Sequence, residues 1–494
     1  MLAGPEPARV RGSGQLIKKL NRSRILECLQ QSGPLSRVEL AQRTGISLPS
    51  VSHLMHEMQE EGLVVPVGQG PSRGGRRPML FAYNSRLAYV VGLDVGGTKV
   101  AGGVSDLDGN LLATATIPTH SETGSTDDVP ARILQLVHRL LDQAGIDVSK
   151  VMGIGIGVPG IPDPEGRTVT LAPGLRRDES RVLVVEGAAA LNGDRRAGRY
   201  GHDGGAWYGD DGSGRGGDDG RSYCGGESRA TSGDDADDPC GEDRNARSGD
   251  VSGAAGAIPI GQYLQEHLGR PVYMDNDVNA MLRGEVWRGA LQGERHAVGV
   301  TVGTGIGVGL LVNGEVYTGA RGSAGEIGYW LIGALGPITR SAGYGPLETF
   351  AAGPGIARRY VARLKARGYG SVVLDLAGGD VSKISARLVA EGAVLGDPLA
   401  LDVWRETAEM LGVALANLCC LMDPEVLVLG GGVSRAPREL FLDPVQRIIE
   451  TLVPYPPRVV PSHLGEQAVI LGAVATVLDS RRSSISYVTA GVES

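Results

Sequence analysis

Acidic and amide side chains gather in three short stretches of the chain. "VYMDNDVNA" holds Asn276 and Asp277, "GSAGEIGY" holds Glu326, and "GPLE" holds Glu348. Carboxylates and amides suit a polyol, because each can engage two hydroxyl groups. A carboxylate can also take the proton of an attacking hydroxyl. Taken singly, each acid reads as a solvated loop charge. Their company changes that reading. Three glycine turns follow apolar, strand-like runs: "GLDVGGTKV", "GVTVGTGIGVGLLV" and "EVLVLGGGVS". The first carries Gly96, Gly97 and Thr98, with Asp94 before it and Lys99 after. The second carries Gly303, Thr304 and Gly305. The third carries Gly430, Gly431 and Gly432. Glycine turns leave backbone N–H groups free to hold phosphate, and the threonine hydroxyls can add to that. One such cluster is weak evidence, because glycines also serve plain hairpins. Three together read as a nucleotide cleft between two α/β lobes.

The elements that position these groups occupy residues 86–494. Residues 1–85 read differently. A helix is expected over about Gln15–Ser32, with Ile17, Leu20, Ile25 and Leu29 on one face. "PLSRVELAQRTG" starts a second helix at Ser36, with Glu39 completing a capping box and Gly45 ending it. "SLPSVSHLMHEMQEEGLV" starts a third at Ser47, with Pro49 in the first turn and Val51, Leu54 and Met58 facing inward. Ser47, Ser50, Ser52 and His53 are then left near the outward-facing N-terminus. Two helices joined by a short glycine turn make a helix-turn-helix, whose second helix enters the major groove. "LVVPVGQGPSRGGRRPMLFAY" reads as a two-stranded wing, with Arg73, Arg76 and Arg77 available to phosphate or the minor groove.

Charge supports the division. The chain of 494 residues has a net charge of −8, yet residues 1–82 hold eleven basic and six acidic side chains. A basic head on an acidic body points to nucleic acid at the head alone. Cys28, Cys224, Cys240, Cys419 and Cys420 form no CxxC pair and no disulfide framework. No apolar run reaches about 18 residues and no signal peptide is evident, so a cytoplasmic protein without membrane contact is expected.

The ordered motifs "GGRRPML", "GLDVGGTKV", "GIGVPG", "DNDVNA", "GTGIGVG", "GEIG", "GPLE" and "LGGGVS", behind that head, resemble the ROK family (repressors, open reading frames and kinases). The form is the one with an N-terminal winged helix, as in the xylose and N-acetylglucosamine repressors. The resemblance implies an actin-like, hexokinase-type, ribonuclease H-like body in two lobes, and a homodimer or homotetramer. It places Asp277 at the position of the kinases' catalytic base, and Asn276, Glu326 and Glu348 at sugar contacts. It implies a sugar-responsive regulator acting on double-stranded operator DNA, a repressor of carbohydrate-use genes that takes a small sugar or sugar phosphate and requires no cofactor. The alternative is an ATP-dependent sugar kinase using ATP and Mg.

Two departures bear on that choice. The family's kinases, and many of its repressors, follow GEIG with a His and a CxCGxxGC cluster that bind structural zinc. Here Tyr329 stands in the His position and the cysteines are missing, so no zinc or other metal is expected. Gly174 stands where the family has a sugar-contacting Asn. Residues 176–256 are dense in Gly, Asp, Arg and Ser and lack apolar periodicity, so they read as a disordered insertion. A sequence artefact is the other reading. The expected division is thus 1–85 for the DNA-binding head, 86–175 for the start of the first lobe, 176–256 for the insertion, and 257–494 for the remainder of the body.

Overall fold

A computed structural model describes residues 13–71, 77–120, 129–170, 175, 257–331, 345–368 and 370–485. The 176–256 block, Arg73, Arg76 and Gly174 lie outside the described residues.

The head contains three helices, α1 (Ser13–Ser32), α2 (Arg37–Thr44) and α3 (Leu48–Glu60), and a three-stranded sheet of β1 (Leu35–Ser36), β2 (Val64–Gln69) and β3 (Met79–Tyr83) in the order β1-β3-β2. Local chemistry sets its boundaries. Ser36 caps α2 reciprocally with Glu39, and Gly45 closes it in the left-handed conformation at φ 70°. Ser47 caps α3 by accepting from the Ser50 N–H. Ile25, Leu29, Leu40, Val51, Leu54, Met55 and Met58 fill the head's core. One expectation fails here. Ile17 and Leu20 are 56% and 55% exposed, whereas Ile25 and Leu29 further along α1 are buried. The first half of α1 is tied to the end of α3 by Lys18–Glu57 (2.8 Å) and Arg22–Glu61 ion pairs.

The body consists of two sheets with the same strand order. In the first, β4 (Tyr89–Val95), β5 (Lys99–Asp106) and β6 (Leu111–Pro118) form an antiparallel meander. After α4 (Val129–Ala144), β7 (Val151–Val158) pairs in parallel with β4. A short ribbon of β8 (Ile161–Pro162) and β9 (Val169–Thr170) and then α5 (Ile260–Leu268) follow. Finally β10 (Val272–Asn276) pairs in parallel with β7. The order is β10-β7-β4-β5-β6. Helix α6 (Asp277–Arg288) leads into the second sheet. There β11 (Ala297–Val302), β12 (Ile306–Val312) and β13 (Glu315–Tyr317) repeat the meander. Helices α7 (Pro346–Ala351), α8 (Gly353–Arg367), α9 (Val372–Leu376), α10 (Ala386–Val394) and α11 (Pro398–Met422) intervene. Then β14 (Val426–Gly430) pairs in parallel with β11, and, after α12 (Leu442–Leu452), β15 (Arg458–Pro461) pairs in parallel with β14. The order is β13-β12-β11-β14-β15. A final helix, α13 (Ala468–Ile485), follows the fifth strand here, as α6 follows it in the first lobe.

The two lobes are stitched through these equivalent helices. α6 and α13 pack on each other, α13 also lies on β4 and β7, and α6 lies on β11 and β12. Glycine makes the crossing close. A Cβ on Gly472 would sit 1.6 Å from the Ala280 carbonyl oxygen, and one on Gly284 2.2 Å from that of Ala468. Among the described residues, no helix is long and apolar enough to cross a membrane.

Candidate functional site

The three glycine turns converge on one cleft of about 1730 Å³. The first is the β4–β5 hairpin turn, closed by Gly96 N–H to Lys99 carbonyl at 2.9 Å. The second joins β11 to β12, closed by Gly303 N–H to Gly305 carbonyl at 2.9 Å. The third ends β14 and runs into a short 3-10 turn at Val433–Arg435. Here Gly431 has φ 89°, and a Cβ would fall 2.4 Å from the Val302 carbonyl oxygen, so only glycine fits. Asp94, Gly96, Gly97, Lys99, Gly303, Thr304, Gly305, Gly430, Gly431 and Gly432 all line the cleft. Thr98 does not. Its side chain is exposed and its carbonyl accepts from the Thr119 N–H at 3.0 Å.

The sugar set reaches the same cleft: Asn276, Asp277, Glu326 and Glu348 line it, as does Tyr329. Asn276 and Asp277 stand where β10 becomes α6. Asn276 is the helix N-cap: its side-chain oxygen accepts from Val278 and Asn279, and its NH2 donates to the Gly160 carbonyl at 3.2 Å. The cap takes up the amide oxygen and Gly160 one N–H, while Asn276 still lines the cleft. Asp277 begins the helix and keeps part of its surface open to the cleft. Loss of water around it, with Asp94 nearby as a second acid, lifts its pKa to about 7. Burial also raises Asp94 to about 6. Glu326 stands more open and is raised in the same direction.

Glu348 has a structural task as well. It lies on α7, and its Oε1 accepts from the Ile306 N–H at 3.2 Å, next to the second glycine turn. A Cβ on Gly305 would meet that oxygen at 2.2 Å, so the glycine admits the carboxylate. Burial lifts Glu348 to about 7. Packing also holds α7. Leu347 and Ala351 are buried, and Phe350 lies 3.9 Å beneath the Arg359 guanidinium, which pairs with Glu406 at 3.0 Å. Residues 332–344, where the family's cysteines would fall, lie outside the described residues. Among the described residues, no group of three or more His, Cys, Asp or Glu side chains is placed to hold a metal ion.

In the head, Ser47, Ser50 and His53 are exposed on α3 and Ser52 is half-buried. The Ser47 and Ser50 hydroxyls bond each other at 2.8 Å. His53 lies 3.3 Å from Glu57. Arg77 is exposed at the base of the wing.

One connection was invisible in the sequence. The segment after β3 is gripped from both sides. Asn84 donates to the Gly62 carbonyl at 2.8 Å. Ser85 donates to Asp106 at 3.1 Å and accepts the Leu107 N–H at 2.9 Å. Asp106 in turn holds the β5–β6 turn through the Asp108 and Asn110 N–H groups. The C-terminal end of α6 seizes that same turn. Arg288 donates to the Asp108 carbonyl. Trp287 lies under Gly109, where a Cβ would come within 2.7 Å of the ring. Trp287 and Tyr83, the last residue of β3, pack on one apolar cluster with Val90, Leu107, Val474 and Val477. α6 thus begins in the cleft and ends at the junction with the head, a span of about 18 Å for its 12 residues.

A profile described as ROK family matches residues 90–185 and 250–480, and one described as winged helix-turn-helix DNA-binding matches residues 20–65. The chain is 26% identical over 486 residues to the putative xylose repressor of Caldicellulosiruptor sp. (strain Rt8B.4), covering 97% of this chain and all of that protein. A solved ROK family transcriptional regulator, a homolog of the E. coli MLC protein, superposes with a TM-score of 0.65 at 22% identity, over 96% of this chain and 98% of that one. A ROK family glucokinase from Streptomyces griseus, solved with glucose and AMPPNP, superposes with a TM-score of 0.54 at 26% identity, over 78% of this chain and 98% of that one.

Proposed function

Since the chain belongs to the ROK family, we propose that it is a sugar-responsive DNA-binding transcriptional regulator, a repressor of carbohydrate-use genes. The xylose repressor relative aligns over its whole length, head included. The observation that carries the reading is the course of α6. Its first residue, Asp277, faces the cleft, and its last two hold the turn to which Ser85 ties the head. A sugar engaging Asp277, Glu326 and Glu348 bears directly on the start of this helix. It controls DNA binding only if it binds two states of the protein with different affinity. In a homodimer or homotetramer, movement at the junction changes the spacing of two recognition helices. The α3 face with Ser47, Ser50, Ser52 and His53 reads base edges, and Arg73, Arg76 and Arg77 contact the backbone.

The test uses the full chain. Duplexes are selected from a random library, and binding is measured with and without xylose, glucose and N-acetylglucosamine. A sugar that raises thermal stability and weakens DNA binding is expected. DNA binding indifferent to every sugar that stabilises the chain sinks the reading.

One observation favours a second reading, sugar phosphorylation. Asp277 titrates near neutrality, which suits a general base, and the glucokinase neighbour was solved with glucose and AMPPNP. Turns Gly303–Gly305 and Gly430–Gly432 open onto the cleft and fit a phosphate chain, and Asp94 faces it as a carboxylate suited to Mg. Bound ATP and Mg would supply the transferable phosphoryl group. Asp277 would take the sugar hydroxyl's proton, and Glu326 and Glu348 would orient the ring. Transfer demands close positioning of the acceptor, and Tyr329 and Gly174 stand where the family's kinases have a zinc-ligating His and a sugar-contacting Asn. Weak or absent turnover is expected. ADP release from ATP with hexoses and pentoses, abolished by Asp277→Asn, would promote the kinase.

A further inference from the structure

The wall of the cleft changes character toward solvent. Asp277 and Glu348 are half-buried and Glu326 is exposed. Beside Glu326 stands an aromatic ring. The aromatic side chains among the described residues of the lining are Trp404 and Tyr329. Trp404 is 1% exposed and belongs to the core, whereas Tyr329 is 51% exposed. Local geometry sets Tyr329 next to the acid. Glu326 is the N-cap of the 3-10 helix Ile327–Tyr329, and the Tyr329 N–H donates to the Glu326 carbonyl at 3.2 Å. Side chains three residues apart in such a turn eclipse, so acid and ring project together, and both line the cleft. The turn is also fixed against the start of α7. A Cβ on Gly345 would fall 2.0 Å from the Gly328 carbonyl oxygen and 2.3 Å from the Tyr329 Cα, and one on Gly328 would lie 3.3 Å from the Glu348 Cβ. The backbone that carries Tyr329 is thus packed on the helix that carries Glu348.

A pyranose presents hydroxyls around its edge and C–H groups on its faces. The acids suit the hydroxyls. A tyrosine ring offers rigid apolar area to a C–H face, at little cost in side-chain freedom. One sugar ring satisfies the half-buried acids, Asp277 and Glu348. A second ring joined to it extends toward solvent, where Glu326 and Tyr329 stand. We propose that Tyr329 is the platform of an outer subsite, and that the ligand of the cleft is a glycoside whose second ring packs on it. The ligand class is a disaccharide or longer saccharide, or a sugar carrying a cyclic aglycone, since both present a ring face. Glu326, the most open of the three sugar-facing acids, takes a hydroxyl near the bond between the rings. The inference rests on the reading of the cleft as a sugar site and adds the size of the sugar.

The experiment is calorimetric titration of the full chain with glucose, maltose, cellobiose and 4-nitrophenyl β-glucoside, and with xylose and xylobiose. Tyr329→Ala and Tyr329→Phe are compared with the unmodified chain. At least one two-ring ligand should bind roughly tenfold tighter than its monosaccharide, the gain from covering about 50 Å² of apolar surface. Tyr329→Ala should abolish that advantage. Tyr329→Phe should retain it, because the ring and not the hydroxyl makes the contact. A merely structural role for Tyr329 would lower both affinities alike, so the ratio of the two is the readout. An advantage for a disaccharide identifies a second sugar ring as the occupant, and one for the nitrophenyl glucoside alone identifies an aglycone. Monosaccharides that bind as tightly as every two-ring ligand overturn the proposal and leave the sugar reading standing. So does an advantage that survives Tyr329→Ala or is lost in Tyr329→Phe. Absence of binding by every ligand overturns both.

Discussion

Asp277 carries a cost at the residue scale. Its pKa rises from 3.8 to about 7 on folding. A carboxyl raised in this way favours the folded state fully below about pH 4, and that contribution is lost as pH rises through about 7. Asp94, raised to about 6, and Glu348, raised to about 7, act in the same direction. The ligand-free chain should therefore lose thermal stability between about pH 4 and pH 7. Asp277→Asn should blunt that loss. Its advantage over the unmodified chain should be absent near pH 4, should grow up to about pH 7, and should reach on the order of 2 kcal/mol. The same variant should lose sugar binding by at least about tenfold, roughly one charge-assisted hydrogen bond. Thermal unfolding across pH, with and without sugar, measures both effects. Equal pH slopes for the two proteins would show that Asp277 is not the strained acid. The residue types of the cleft were legible in the sequence, since acids and glycine turns reveal themselves. Their titration was not, because it depends first on burial between the lobes and, for Asp277, on Asp94 brought near across about 180 residues of chain.

At the element scale, α6 and α13 decide how the lobes hold together. The carbonyl of Ala280 leaves no room for a side chain at Gly472. Gly472→Val should cost about 3 kcal/mol or prevent folding, as overpacking of a close crossing does. Denaturant unfolding reads this directly, and a loss under about 1 kcal/mol would mean the helices separate easily. The far end of α6 makes a separate prediction. Trp287→Ala removes the ring beneath Gly109 but no residue of the cleft. Sugar binding and DNA binding should each persist, while sugar-dependent release of DNA falls by about tenfold or more, the size of a typical coupling between sites. Release unchanged in Trp287→Ala would place the coupling elsewhere than α6. The caps of α2 and α3 were legible because capping is a matter of three or four consecutive residues. The end of α6 was not, since Trp287 and Arg288 meet Gly109 and Asp108 only through the fold.

For the whole molecule, charge separates the head from the body. The head is basic and the chain as a whole acidic, so DNA affinity should fall linearly with salt on logarithmic axes. Arg77→Ala should lower the slope by about one and weaken all sequences alike, as loss of one phosphate contact does. His53→Ala should instead change which selected sequence is preferred, because His53 stands on the exposed face of α3. Identical slopes and identical preferences in both variants would contradict these assignments. The block at 176–256 gives a further expectation. Its described flanks are already joined, since Val169 and Ile258 exchange two backbone hydrogen bonds of 3.1 Å. Deleting the block should leave the midpoint of thermal unfolding within about 4 °C, a change of under 1 kcal/mol. A larger drop would show that the block is structural.

The sequence by itself determined what local chemistry determines. Ser36 with Glu39, Gly45 and Ser47 set the helix ends of the head, and apolar runs before glycine set the strands that flank the cleft. Each depends on a few neighbouring residues and on steric limits of the backbone, so each survives in any context. Tertiary structure decided the rest. It left Thr98 exposed outside the cleft lining, made the Asn276 side chain the cap of α6, and set Glu348 against Ile306 where Gly305 makes room. It also repeated one strand order in both lobes and brought Lys99, Arg435 and Glu466 to one point. Ion pairs, burial and pKa depend on distances through space, and no spacing along the chain encodes a distance between residues 99 and 435.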